Sequence, residues 1–201
     1  MKILSIGNSF SQDAQRYLHE IAAANGKNLK CVNLYIGGCS LKQHYFNMLD
    51  DEKAYDFEFN GMSTGIKVSI REALKSDDWD CITLQQASHE SWNPETYQPY
   101  ASNIHAHVKK YAPQAEVVIQ QTWSYRADDP RLMPGGAWGF DQDGMYERLT
   151  GAYRKLASEL NLRIIPTGYA VQLARRNQPF RFQNYDPAVL ETLHWPDLPS
   201  Q

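Results

Sequence analysis

A three-layer α/β/α sandwich built on a parallel sheet is the architecture this sequence predicts. Five short apolar runs recur along its 201 residues, segments with helical spacing separate them, and the residues leaving the runs are polar. The first two observations describe a sheet covered on both faces, and the third describes a ligand crevice at the strands' carboxyl ends.

The runs are Ile3 to Ile6, Leu29 to Ile36, Cys81 to Leu84, Glu116 to Ile119 and Leu162 to Ile165. Near-continuous hydrophobicity in most of them predicts burial on two sides, and the expected sheet order, numbering the runs in sequence, is 2-1-3-4-5. A first helix is expected from Ser11 to Asn25, with Ala14, Tyr17, Leu18, Ile21 and Ala22 on one face and Gly26 in the left-handed position beyond its end. Ile66, Ile70, Ala73 and Leu74 mark a second helix. Pro94 suits the first turn of a third, which carries Tyr97, Ala101, Ile104, Val108 and Tyr111 before Ala112-Pro113 ends it. Met145, Leu149, Ala152, Leu156 and Leu160 make a fourth. Ser124 to Gln142, with Asp128-Asp129-Pro130 and Pro134-Gly135-Gly136, reads as a long loop after a strand, and beyond Asn177 periodicity fades apart from a short helix after Pro187.

Composition narrows the function classes. With 42% hydrophobic and 21% charged residues the chain can bury a core, and no repeat or Gly/Ser linker divides it, so residues 1–201 are expected to form one domain. The formal charge is 20 − 23 = −3 without a basic run, which argues against nucleic acid. Cys31, Cys39 and Cys81 form no Cys-x-x-Cys pair and are expected to be reduced and buried. Apolar stretches fall well short of the roughly 20 residues that span a bilayer. Met1-Lys2-Ile3 enters a strand without a basic and apolar leader, so the expected compartment is cytoplasmic for the sequence as given, or outside the cell if a leader has been removed. Neither G-x-G-x-x-G nor G-x-x-x-x-G-K-[ST] occurs, and His105 and His107 point to different faces of one helix. Neither a metal nor an organic cofactor is expected.

The rim of the sheet carries the chemistry. After the first run come Gly7-Asn8-Ser9-Phe10-Ser11, after the second Gly37-Gly38-Cys39-Ser40, after the third Gln85-Gln86-Ala87-Ser88-His89-Glu90, and after the fourth Gln120-Gln121-Thr122-Trp123. Ser9 stands at a strand-to-helix turn, the place of an exposed nucleophile, although Ser9 or Ser11 there could equally cap the helix. The glycines can bring backbone N–H groups to an oxyanion or merely turn the chain. One of Gln85 and Gln86 must face away from the site, and Gln86 is the expected inward donor.

Taken together, Gly7-Asn8-Ser9 after the first strand, glycine after the second and polar amides after the third resemble the SGNH (GDSL-like) hydrolases. Ile6 to Ser11, Leu84 to Ser88 and the strand ending at Trp123 look like the branch grouped as DUF4886. The resemblance implies a flavodoxin-like five-stranded parallel sheet, the SGNH hydrolase fold, and a serine esterase on small acyl groups, with acetyl esters of carbohydrates favoured. Ser9 would be the nucleophile, and its N–H with that of Gly37 or Gly38 would form the oxyanion hole. Where the family supplies an Asn side chain, Gln86 or Ser88 would substitute. The family's acid and base come from a C-terminal Asp-x-x-His, whose nearest counterpart here is Glu191-Thr192-Leu193-His194, making His194 the base and Glu191 its orienting carboxylate, with His89 a lesser candidate. Asn8, Trp123 and Trp138 would face substrate, beside Trp92 and Tyr125, although the aromatics suit core or loop anchors equally. Two rivals are a non-catalytic carbohydrate-binding or scaffold domain with a degenerate site, favoured by the departure at Glu191, and a flavin or nucleotide binder, which rests on fold analogy alone.

Overall fold

The computed structural model describes residues 1–176. In chain order the elements are β1 (Lys2–Gly7), α1 (Ser9–Gln15), α2 (Leu18–Ala24), β2 (Lys30–Tyr35), α3 (Leu41–Leu49), β3 (Tyr55–Phe59), β4 (Met62–Val68), α4 (Ile70–Lys75), β5 (Cys81–Leu84), α5 (Tyr100–Tyr111), β6 (Glu116–Gln120), α6 (Gln142–Leu160), β7 (Arg163–Ile165) and α7 (Thr167–Arg176). They form one sheet in the order β4-β3-β2-β1-β5-β6-β7. Its five parallel strands, β2-β1-β5-β6-β7, are the five expected runs in the expected order. Among the described residues no helix is long and apolar enough to cross a membrane.

The sheet has seven strands rather than five, because β3 and β4 form a hairpin that adds antiparallel to the outer edge of β2. Asn60 (φ 48°) and Gly61 (φ 80°) make its two-residue turn, the geometry that Asn-Gly favours. Ile66, expected in a helix, lies in β4, and the helix begins at Ile70 behind a reciprocal cap between Ser69 and Glu72. The first expected helix is two, broken at Arg16 and Tyr17, and Gly26 follows the second with φ 67°. The third starts at Tyr100, after a 3-10 turn over Pro94–Thr96. The long fourth helix lies where its periodicity placed it and ends at a left-handed Asn161.

Strand alternation divides the sheet into two unlike faces. Leu4, Ile6, Val32, Leu34, Ile82, Leu84, Val117 and Ile119 belong to one hydrophobic cluster with Leu41 of α3, Leu74 of α4, Ile104 of α5 and Leu149 of α6. On the opposite face the register aligns Ser5 with Asn33, Ser5 with Thr83, and Asn33 with Glu58. All four are buried and polar. This row lies under α1, whose own buried residues are Ser11 and Gln15. The apolar stripe expected to hold the first helix is not buried: Ala14, Tyr17 and Ile21 are exposed, and Leu18 and Ala22 are only half-buried. The three cysteines are free and buried.

Candidate active site

The turn from β1 into α1 is compact because residue 7 is glycine. A Cβ there would stand 2.1 Å from Ser11 Oγ and 3.1 Å from the Gln85 side-chain amide. Asn8 is the N-cap: its side-chain oxygen accepts from Phe10 N at 3.0 Å, and Ser11 Oγ accepts from Asn8 N at 3.0 Å, which closes a capping box. Capping therefore falls to Asn8 and Ser11. Ser9 is the first residue of α1 and exposed, and among the described residues its hydroxyl makes no side-chain hydrogen bond.

Asn8 also ties the two glycines to this turn. Its Nδ2 donates to the Cys39 carbonyl at 3.0 Å, directly after Gly37 and Gly38, which are exposed at the rim. Gly38 has φ 65°, a conformation that a side chain would strain.

After β5 the expected choice between the two glutamines is corrected. Gln86 points to the apolar face, where its oxygen accepts from Leu41 N (2.9 Å) and Ala87 N (2.8 Å) and its Nε2 donates to Thr96 O (3.1 Å) and Thr96 Oγ1 (3.0 Å). No donor is left on it for an oxyanion. Gln85, one residue earlier and so on the face of Ser5 and Thr83, places its amide 2.6 Å from Asn8 Oδ1. Ser88, the other expected substitute, has a buried hydroxyl with no hydrogen-bond partner among the described residues. Gln120 donates to the Phe10 carbonyl at 3.3 Å, and the Trp123 ring lies 4.2 Å from that of Phe10, so the end of β6 also closes on the start of α1.

Trp138 is not open in the way a stacking platform would be. Its ring packs against Trp92 (5.5 Å), Tyr125 (5.8 Å) and Phe140 (5.9 Å), and the Arg131 guanidinium lies 4.9 Å from its centre while Asp129 holds that guanidinium from the side. These contacts anchor the loop between β6 and α6.

Glu191 and His194 lie outside the described residues. His89 is exposed, its Nε2 3.9 Å from Glu90 Oε1. His44 is buried against Tyr55 Oη (2.9 Å) and Cys39 Sγ (3.4 Å), and burial lowers its pKa to about 3, so it is a neutral core residue at ordinary pH. His19 faces the Leu29 carbonyl.

The residues that sequence reasoning missed are the polar row beneath α1. Gln15 Nε2 and Thr83 Oγ1 both donate to Ser5 Oγ (2.6 and 2.7 Å), Ser11 Oγ donates to Asn33 Oδ1 (2.7 Å), Asn33 Nδ2 donates to Glu58 (2.8 Å), and Gln12 donates to the other Glu58 oxygen. Their signal is a single polar residue inside each apolar run: Leu4-Ser5-Ile6, Val32-Asn33-Leu34, Phe57-Glu58-Phe59 and Ile82-Thr83-Leu84.

A parallel sheet of this order, with an exposed serine where the first strand enters its helix, defines the class: this is the SGNH hydrolase fold. The chain belongs to the DUF4886 family, described as a domain of unknown function, which matches residues 2–185. The crystal structure of a DUF4886 family protein from Bacteroides uniformis is 32% identical with a TM-score of 0.81, over 92% of this chain and 74% of that one. A protein from Slackia heliotrinireducens, provisionally assigned as an SGNH hydrolase, is 22% identical with a TM-score of 0.56, over 82% of this chain and 77% of that one. The acetyl xylan esterase AlAXEase is 15% identical with a TM-score of 0.54, over 82% and 76%. No curated protein matches the chain.

Proposed function

We propose that this protein is a serine esterase that hydrolyses small acyl esters, with acetyl groups on carbohydrates the favoured substrates. The observation that carries the proposal is Ser9: it is exposed at the first position of α1, and Asn8 has relieved it of the capping role that serine commonly plays there. The carbohydrate preference draws on the shared fold of an acetyl xylan esterase.

In this mechanism the Ser9 hydroxyl attacks the ester carbonyl and passes its proton to a base. The N–H groups of Ser9 and of Gly37 or Gly38 receive the oxyanion, with the Ser88 hydroxyl, which has no partner among the described residues, as a third donor. The alcohol departs with the proton, and water activated by the same base then releases the acid from the acyl-enzyme. His194, oriented by Glu191, is the proposed base.

The test is fluorophosphonate labelling with peptide mapping, run beside hydrolysis of p-nitrophenyl acetate and acetylated xylan. Labelling should fall on Ser9, and Ser9→Ala should lower turnover about 10³-fold or more. Labelling confined to another serine, or turnover unchanged in Ser9→Ala, rejects the nucleophile. His194→Ala should cost about as much as Ser9→Ala; activity that survives it and falls in His89→Ala moves the base to His89. Binding of acetylated xylan without any ester turnover would select the degenerate, non-catalytic alternative.

A further inference from the structure

We infer that Glu58, on the edge hairpin, is a positioning residue for Ser9, acting through a one-directional chain of hydrogen bonds that runs Glu58, Asn33, Ser11, Asn8. The inference rests on the proposal that Ser9 is the nucleophile.

Glu58 sits opposite Asn33 in the antiparallel register of β2 and β3, so the two side chains project from the same face. It is buried, and the amides of Asn33 and Gln12 each donate to one of its oxygens. With both oxygens accepting, the Glu58 carboxyl presents no donor to either amide. It therefore fixes which end of the Asn33 amide faces it: Nδ2 points at Glu58, and Oδ1 is left facing Ser11 Oγ at 2.7 Å. Ser11 has one hydroxyl proton and two acceptors in reach, Asn33 Oδ1 and the Asn8 carbonyl at 2.8 Å. The carbonyl already accepts from Gln12 N at 3.0 Å, whereas Asn33 Oδ1 has no other donor among the described residues and lies slightly nearer, so the proton is drawn to Asn33, and the Ser11 oxygen presents a lone pair to Asn8 N. Each bond thus orients the next, and the chain ends on the backbone N–H of Asn8, the residue immediately before Ser9.

A second path reinforces the first. The same carboxylate holds Gln12, one turn along α1 from Ser9, so Glu58 reaches the helix by two routes, directly at Gln12 and through Asn33 at Ser11. Without the carboxylate the Asn33 amide has two orientations of similar energy, Ser11 loses its assigned acceptor, and the first turn of α1 samples more than one arrangement. Hydrolysis needs the Ser9 oxygen held at one angle to the carbonyl, and small departures from a near-attack geometry are costly.

The experiment compares the wild type with Glu58→Leu, Glu58→Gln and Ser11→Ala in the full chain. Three quantities are read: amide hydrogen exchange at Asn8 and Phe10 by NMR, the rate of fluorophosphonate labelling of Ser9, and urea unfolding. In Glu58→Leu the Asn8 amide should exchange faster, and labelling of the folded fraction should slow about tenfold or more, with kcat falling and KM for p-nitrophenyl acetate unchanged. Glu58→Gln should restore most of both, since its amide oxygen can accept from Asn33 once Gln12 turns its own amide. A folded Glu58→Leu with wild-type exchange at Asn8, or with faster exchange but wild-type labelling, overturns the inference; a role confined to stability gives the second pattern. Should Glu58→Leu fail to fold, Ser11→Ala removes the last link with the carboxylate in place and is judged by the same two readouts. Absence of Ser9 labelling in the wild type overturns the nucleophile and the inference with it, and is distinct from failure of the relay alone, where wild type and Glu58→Leu are labelled equally fast.

Discussion

On one face of the sheet Leu4, Ile6, Val32, Leu34, Ile82 and Leu84 meet apolar side chains from four helices. On the other, one residue along the same strands, Ser5 and Asn33 meet Gln15 and Ser11 of a single short helix, and Thr83 donates to Ser5. The forces differ in kind. Apolar burial is large and non-directional, roughly 25 cal/mol for each Å² removed from water, and it tolerates small rotations of a helix. A hydrogen bond adds only about 1 kcal/mol net but fails when its angle is wrong. The apolar face therefore supplies stability, and the polar face fixes how α1 lies. A helix of seven residues carrying the candidate nucleophile needs the second more than the first.

This division can be broken. The largest effect is expected from Ile82→Ala on the apolar face, which should cost about 2–5 kcal/mol in urea unfolding while the folded fraction labels Ser9 at the wild-type rate. Equal losses of stability and labelling would show that the faces are not independent. Next comes acid. His44, with its pKa lowered to about 3, stays neutral in the folded protein while the unfolded chain takes up a proton near pH 6.5. The unfolded state then binds more protons, so stability should decline as pH falls from about 6.5 towards 3, by on the order of a few kcal/mol. His44→Leu should flatten that limb, measured as the urea midpoint at pH 4 against pH 7.

Gly7→Ala tests the close approach of β1 to α1. The new methyl meets Ser11 Oγ at 2.1 Å and Ser11 Cβ at 2.8 Å, and displacing the helix should cost about 1–3 kcal/mol together with a marked loss of Ser9 labelling. The smallest effect is expected from Thr83→Val, which keeps the shape and deletes one donor to Ser5: about 1 kcal/mol in unfolding and little change in labelling, because Gln15 still holds Ser5. A labelling loss as large as that of Gly7→Ala would place Thr83 in the path that orients Ser9.

What the sequence disclosed follows the same division. The five parallel strands, their order and the long helix α6 were legible because Val, Ile and Leu write the apolar face directly into hydrophobic periodicity. The polar face has no such period. Ala14, Tyr17, Leu18, Ile21 and Ala22 form a convincing stripe, yet α1 docks through Ser11 and Gln15, whose complementarity to Asn33 and Ser5 depends on residues distant in sequence. The hairpin was overlooked although Asn60-Gly61 follows the alternating Tyr55 to Phe59, because Met62 to Val68 is an exposed edge strand with Ser63, Gly65 and Lys67 in it. Counting by twos from Thr83 would have put Gln85, not Gln86, on the side of α1. The acid and base expected at Glu191 and His194 lie outside the described residues.

The placement of Glu58 on the hairpin has a consequence in time. Asn8, Ser11, Gln12, Asn33, Cys39 and Glu58 all precede the end of β4 at Val68, and among the described residues Gln85, Gln120 and Trp123 join the turn from later in the chain. During synthesis, which delivers the N-terminal part of a chain first, the seat of Ser9 can close on itself before the far half of the sheet has left the ribosome. Gln85, Gln120 and Trp123 would then arrive as late fastenings on a turn already shaped by its own neighbours.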